Sequence, residues 1–509
     1  MARTIFHDEQ RWTNWHLSVR DVPIAGRFEI LNGSGAASLA GMKETAAEIQ
    51  KLIGRAIAER RRLRAQGAAW SFSEAPAVPG GWCLATGYAN WIFPLPETHV
   101  VAEFAGDRTG FFLAQMGVAV GAFNRFVEAR GRSLRTSGAS NGQTFAGAMS
   151  TGTHGSAVDL PAIQSQIVGF QLIPSPDLNL WIEPASRPVT DGRMADAMGA
   201  TVVRDDRLFA AALVGLGAFG VVHSVLIETR PIFLLESWRQ RIPFSDGVRR
   251  AMTGGGFDSV DLPGPDVAGG RPYFFQSVVN SHIDKGFAYV TAGYERPWDP
   301  GHALSYDLTN KRAPGYNLGV VVANILDAAP GLTPPITKLV LQDQLKPMLG
   351  KTGSWGQSFN FTTPRAGTAG ASIAVPVERS LEALDIAQRA LARTGKAPLA
   401  FACRYGVKSP GLLAFVRHPR TCILDLDGLN SDRARAAMRA VLLDIRAAGI
   451  PNAEHWGKMN ELTAASVRDS YGADLESWIA ARTELLGRET EYVFGSAFLD
   501  RLGMTNPNW

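Results

Sequence analysis

The stretch TSGASNGQTFAGAMSTGTHGS, Thr136 to Ser156, contains no Asp, Glu, Lys or Arg and no sustained apolar period. Solvated linkers are usually rich in charge, so this composition predicts a buried loop system whose backbone donors face a partner. Two further glycine-rich segments stand on either side of it in the chain: RAQGAAWSFSE, Arg64 to Glu74, and GLGAFG, Gly215 to Gly220. Small side chains let main-chain N–H groups approach phosphate oxygens closely. Each segment taken singly reads most simply as a tight turn. Together the three point to one large phosphate-bearing ligand lying along glycine-rich backbone.

GLGAFG formally fits GxGxxG, but it stands far into the chain and precedes a strand pattern, VVHSVLIET. A nicotinamide-type dinucleotide unit needs that motif to open a helix, which argues against such a unit here. Around these segments, Leu39 to Arg64 and Phe111 to Arg130 have the apolar spacing of amphipathic helices, the second stopped by Gly131. LRAQG and IVGFQLI read as strands. From Pro231 the character changes. Residues 254–367 are rich in Gly, Pro and aromatics and are expected to form a large loop-rich insertion. VERSLEALDIAQRALARTG and DRARAAMRAVLLDIRAAG read as helices with strands between them, and Asp474 to Leu486 as a final helix.

The 509-residue length implies two domains. The net charge is only +4 and the basic residues are dispersed, so no nucleic-acid partner is expected. The one dense run, RRRLR (Arg60 to Arg64), is read as a solvated face at a helix end. Cys83, Cys403 and Cys422 are too few and too scattered for a disulfide framework, and no metal site is expected. The N-terminus has charges where a signal peptide would be apolar, and LGVVVANIL is too short to span a bilayer. A reducing, cytoplasmic location without a membrane span is the expectation.

The order RAxGxxxSF, GQTFAGAMSTGTHGS, GLGAFGVV and finally HWGK (His455 to Lys458) resembles the vanillyl-alcohol-oxidase-like flavoproteins, and within them the aldonolactone and alditol oxidase branch. The resemblance covers most of residues 35–232 and resumes around 399–502. It implies an α+β fold: a two-subdomain FAD-binding domain of the PCMH type over residues 1–232, a cap domain with an antiparallel sheet over 233–454, and a segment, 455–509, returning to the first domain. FAD would be held by Gln66, Gly67, Ala68, Ala69, Trp70 and Ser71. The long central run would add Ser137, Gly142, Gly147, Ser150, Thr151, Gly152, Thr153, His154 and Gly155. Gly217, Gly220, Val221, Val222 and Lys458 would complete the set.

Two departures from the family pattern bear on chemistry. Relatives often carry, in the first loop, a histidine bonded covalently to the flavin; here Trp70 stands in its place. An indole has no nucleophilic nitrogen for that bond, so FAD is expected to be held non-covalently with Trp70 packed beside its ring. Relatives also carry a Glu-x-Arg pair on a cap strand. AFACRYG keeps the arginine, Arg404, but has Ala402 in place of the acid. Period-two spacing puts Ile423, Asp425 and Asp427 on one strand face. Asp425 thus stands as a replacement acid or base beside Arg404 or Lys458, or as an ordinary strand-end carboxylate. The resemblance implies oxidation of a CH–OH group of a small-molecule alcohol, polyol, lactone or larger apolar alcohol, with hydride passing to the flavin and on to oxygen or another acceptor. Arg404, Asp425 and Lys458 would be the catalytic set. The departures leave open a redox-neutral flavoenzyme, of epimerase or dehydratase type, and a non-catalytic FAD-binding homologue.

Overall fold

The computed structural model describes residues 1–254, 257, 262–265, 270–280, 286–306, 323–360 and 367–506. Three sheets organise the chain. The first has four strands in the order Arg3–His7, Gly26–Leu31, Trp82–Ala85, Leu63–Gln66, the last three mutually parallel. The Leu39–Ala58 helix covers it, with Ser38 capping through Gly41 N–H and Ile49, Leu52, Ile53 and Ala56 buried in the shared core.

The second sheet has six strands in the order Thr201–Arg204, Leu180–Glu183, Ile167–Ile173, Val221–Glu228, Phe111–Gln115, Ile92–Pro94. The third is an eight-stranded antiparallel sheet: Met348–Ser354, Leu234–Pro243, Phe287–Arg296, Phe274–Val279, Leu399–Val407, Arg420–Leu429, Thr368–Pro376, Ala453–Glu454. One face of this third sheet is filled by Phe275, Phe401, Cys403, Leu424 and Leu426, against helices Ser380–Thr394 and Asp432–Ala447. The opposite face looks toward the first two sheets.

After its last strand the chain crosses back. Trp478 Nε1 donates to Val214 O at 3.2 Å and Arg482 Nε to Ala218 O at 2.9 Å, pinning the Ala473–Leu485 helix on the GLGAFG turn. No helix among the described residues is long and apolar enough to cross a membrane. The three cysteines are buried and free.

Four sequence expectations need correction. Phe111 to Arg130 is a strand, Phe111–Gln115, followed by a helix, Val120–Glu128. The FFLAQ run is buried on both faces, so its apolar residues carry no period by which strand and helix differ. The aperiodic Thr136–Ser156 run contains a short helix, Phe145–Thr151, capped by Thr144 and ended by Gly152 at φ +70°. The described parts of 254–367 are not a loop-rich insertion: they supply three strands of the eight-stranded sheet, Phe274–Val279, Phe287–Arg296 and Met348–Ser354. Gly and Pro in the connections masked those strands in composition. Finally, RRRLR is not a uniformly solvated face. Arg62 pairs with Asp500 at 2.7 Å, and Arg64, one residue into a strand, is 2% exposed.

Buried histidines set an acid limit on stability. Burial lowers His223 to about 3, and its Nδ1–H donates to Gln171 Oε1 at 2.7 Å. Burial, then the charge of Lys458, lowers His16 to about 4. Both folded values lie below the unfolded value near 6.5, so the unfolded chain binds more protons between those limits. The stability they contribute is complete above pH 6.5 and lost as pH falls toward 4. Denaturant midpoints are expected to decline steadily from pH 7 to pH 4.5, by at most about 1.4 kcal/mol per pH unit per histidine. A flat profile would contradict neutral burial of these rings.

Candidate active site

One cavity of about 1410 Å³ lies between the cavity-facing side of the eight-stranded sheet and the first two sheets. That exceeds the usual range for a single small ligand, roughly 300–1,000 Å³. All three glycine-rich segments reach it: Gln66 to Ser71 from the first, Gly147, Ser150, Thr151, Thr153 and His154 from the second, Gly217, Gly220 and Val222 from the third.

Glycine is required where these loops meet. A Cβ on Gly67 would fall 2.0 Å from Thr144 Oγ1, and one on Gly142 would fall 2.2 Å from the Trp70 indole. Trp70 therefore lies directly over Gly142, stacks on Trp15 at 5.7 Å and meets His16 edge-on. Its ring bridges the first and second loops at the cavity wall. Small residues at the apex of the first loop leave the chain free to turn, Ala69 adopting φ +54°, and the indole fills the room that Gly142 leaves.

Several expected residues do not line the cavity. Ser137 instead accepts from Trp355 Nε1 at 2.9 Å, and Gly142 sits beneath Trp70. Gly152 ends its helix, Gly155 packs on Ser137 O, and Val221 belongs to the core. Asp425 is fully buried beneath Arg404 and Lys458.

The polar floor of the cavity is built on cross-strand register. Arg404 stands opposite Gln276 on one side and Ile423 on the other, while Ala402 stands opposite Val278 and Asp425. Asp425 in turn stands opposite Ser372, whose hydroxyl donates to Asp425 Oδ1. Lys458 Nζ, arriving from the HWGK turn, donates to Asp425 Oδ1 at 2.6 Å. Arg404 Nη1 lies 2.7 Å from Asp425 Oδ2, off the N–H direction, an ion pair without an aligned hydrogen bond. Arg404 Nε donates to Gln276 Oε1 at 3.0 Å, and His154 Nε2 lies 3.6 Å from Asp425 Oδ1. Burial would raise the Asp425 carboxyl, but Lys458, then Arg404 and His154, hold it well below the usual carboxylate range.

Asp425 is thus no ordinary strand-end carboxylate but the counter-ion of two cations from different elements. Arg404 and Lys458 line the cavity together with the rim carboxylate of Asp427, while Asp425 is buried beneath them. Asp427, half exposed, stands at the rim 3.5 Å from Lys458. His455 is buried beside His154 and Phe415; burial, then His154 and Lys458, lower its pKa well below the usual histidine range, and its Nδ1 accepts from Gly457 N–H at 2.9 Å.

Sequence reasoning missed Arg64, His16, Gln276 and His455. Arg64 donates to Leu216 O at 2.6 Å, while its Nε and Nη2 are buried, facing the cavity, without a hydrogen-bond partner. Gly217, at φ +68°, leaves the room it occupies. Burial, then Arg482 and Arg62, lower its pKa to about 10. A buried guanidinium with two idle donors fits an anionic or acceptor-rich ligand. The signal was present: strand alternation from Gln66 points Arg64 to the same face.

No family model matches the chain. It is similar over nearly its full length to solved structures, among them cholesterol oxidase from Brevibacterium sterolicum, with TM-score 0.68, 13% identity, and 98% and 97% of the two chains covered. A VAO-type flavoprotein from Myceliophthora thermophila superposes with TM-score 0.61 and 12% identity, over 92% of this chain and 79% of that one. The chain therefore shares the fold of these proteins. Its sequence relatives include proteins named for oxidation of 1,4-lactones. An L-gulono-1,4-lactone dehydrogenase of Mycobacterium tuberculosis is 24% identical over 446 residues, 84% of this chain and 87% of that protein. A Neurospora crassa protein named for D-arabinono-1,4-lactone oxidase activity is 28% identical over 199 residues. That match covers 39% of this chain and only 30% of the Neurospora protein.

The ion cluster predicts strong coupling. Asp425→Asn is expected to destabilise the protein by about 3 kcal/mol, because two partly buried cations lose their counter-ion. Lys458→Met in the same background should return part of that loss. Denaturant unfolding of the two single variants and the double checks it; additive effects would mean that the pair is not coupled.

Proposed function

We propose that this protein is a FAD-dependent oxidoreductase acting on the CH–OH group of a small-molecule alcohol, in a cytoplasmic setting. The observation that carries this reading is the meeting, at one cavity, of three glycine-rich loops and a wall that presents Arg404 and Lys458. Gln66 to Ser71, Ser150 to His154, and Gly217 to Val222 would hold the dinucleotide, with Arg64 and the GLGAFG turn toward one end and Trp70 beside the ring. When bound, FAD supplies a hydride acceptor, reoxidised by oxygen or another acceptor.

The chain's own residues supply charge and position. Lys458 and Arg404 face the place where a substrate oxygen gains negative charge as its proton passes to solvent, and stabilise it there. Asp425, held deprotonated by both cations, is a weak base; it acts as a positioning residue that fixes their geometry. Ser372 and Gln276 complete the bonds that orient Asp425 and Arg404. Ala402, where relatives have an acid, leaves an apolar gap in the wall beside Arg404. That gap favours a larger or less polar alcohol over a sugar lactone, and also keeps a redox-neutral reaction as the second reading. Lasting flavin bleaching by an alcohol under anaerobic conditions separates the two.

The purified protein is expected to be yellow, and acid precipitation should release all of its flavin into the supernatant, because Trp70 offers no attachment. Flavin remaining in the pellet would contradict this. Lys458→Met should retain FAD yet slow anaerobic flavin reduction by about 100-fold or more; unchanged reduction would remove Lys458 from the chemistry.

Arg64→Met is expected to move stability and binding in opposite directions. Removing an idle buried charge should stabilise the apoprotein by about 1 kcal/mol. FAD and ADP should bind at least about tenfold more weakly. Melting of the apoprotein, and displacement of bound FAD by ADP, test this; a destabilised variant with unchanged nucleotide affinity would make Arg64 purely structural.

A further inference from the structure

We propose that the cap wall carries a second, anion-binding subsite centred on Arg239, which selects an elongated substrate bearing a carboxylate at the end remote from its reacting hydroxyl. The inference rests on the oxidoreductase reading above and extends it to substrate class.

The subsite follows from register. Arg239 stands opposite Thr291, Thr291 opposite Gln276, and Gln276 opposite Arg404, so four polar residues form one row across four adjacent strands. All four line the cavity. Three strand spacings separate the backbones of Arg239 and Arg404, roughly 14 Å. One end of the row is the Arg404–Asp425–Lys458 floor. The other end is a cation of a different kind.

Arg239 Nε donates to Thr291 Oγ1 at 3.0 Å and Nη1 to Gln344 O at 3.3 Å. Among the described residues it has no carboxylate partner. Asp343, on the helix that also supplies Gln344, is paired with Lys346 at 2.7 Å. Burial alone lowers the Arg239 pKa, with no acid to offset it. A guanidinium taken partly out of water gains most from a carboxylate, whose two oxygens match its fork. Lys351, opposite Ser237 on the next strand and also lining the cavity, adds positive charge on the same side.

Alongside this polar row the wall is apolar. Val278, Ala400 and Ala402 pack with Leu341 and Leu345 of the Thr333–Gln344 helix and the turn after it, and all five line the cavity. An acid at position 402 would interrupt that strip. The wall therefore offers the Arg404 and Lys458 side chains for the hydroxyl end, an apolar strip alongside the polar row for the body, and a guanidinium without a carboxylate partner among the described residues for the far end. An ω-hydroxy carboxylic acid with a medium-length hydrocarbon body has this layout.

The test uses the FAD-loaded protein and reads ligand binding as a perturbation of flavin absorption. ω-Hydroxydecanoate is expected to bind at least about tenfold more tightly than decan-1-ol. Its methyl ester, and ω-hydroxybutanoate, which is too short to reach both ends, should lack that advantage. In Arg239→Gln, which keeps donors for Thr291 and Gln344 without the charge, the acid's advantage should vanish while decan-1-ol binds as before. Equal binding of acid and alcohol by the wild type overturns the proposal, as does failure of every probe to bind. A preference that survives in Arg239→Gln but disappears in Arg404→Gln also overturns it. If Arg239→Gln fails to fold, the wild-type comparison of acid, ester and short acid decides. A protein that takes up no FAD would instead sink the oxidoreductase reading itself.

Discussion

The pairing of one buried carboxylate with two cations holds the functional architecture together. Asp425 sits on a central cap strand, Arg404 on its neighbour, and Lys458 on the turn by which the chain leaves the cap sheet. Ions taken out of water cost several kcal/mol each unless paired and hydrogen-bonded. Here Ser372 and His154 add to the pairing, so the carboxylate is enclosed on several sides. Because its partners come from separate elements, the carboxylate fixes their relative positions as well as their charge. The cavity floor presents two fixed cations, and its geometry depends on a residue that does not itself line the cavity.

Much of this was legible in the sequence, and the failures have physical causes. The glycine-rich segments were recognisable because charge-free, small-residue runs have few alternatives to burial. Strand alternation placed Ile423, Asp425 and Asp427 on one face, as they are. The Phe111–Gln115 strand was not legible, since a strand buried on both faces has no alternation to read. The three cap strands between residues 254 and 367 were hidden by the composition of their connections. Arg64 was misread because it was grouped with its charged neighbours in sequence, although its strand gives it a different environment. The partners of Asp425 converge from distant parts of the chain, and no local pattern fixes the choice between a counter-ion and a strand-end carboxylate.

The tryptophan in the first loop answers to packing as well as to chemistry. Its indole lies where Gly142 has no side chain, while Gly67 lies where Thr144 comes close. The two loops interlock by exchanging bulk for absence in both directions. Such contacts tolerate little change in volume, because close-packed surfaces transmit strain rather than absorb it. A substitution that restored a histidine at position 70 would therefore also leave a void over Gly142.

The turn bearing His455 to Lys458 is held to the first loop by two hydrogen bonds, Phe72 N–H to Gly457 O at 2.8 Å and Ser73 Oγ to Trp456 O at 2.6 Å. In chain order this turn follows every other segment that lines the cavity. During synthesis, the loops around Trp70 are thus made long before the strap that will seal them. Until that turn emerges and docks on the first loop, a nascent chain has the glycine-rich loops but not the lysine that completes the cavity's charged wall.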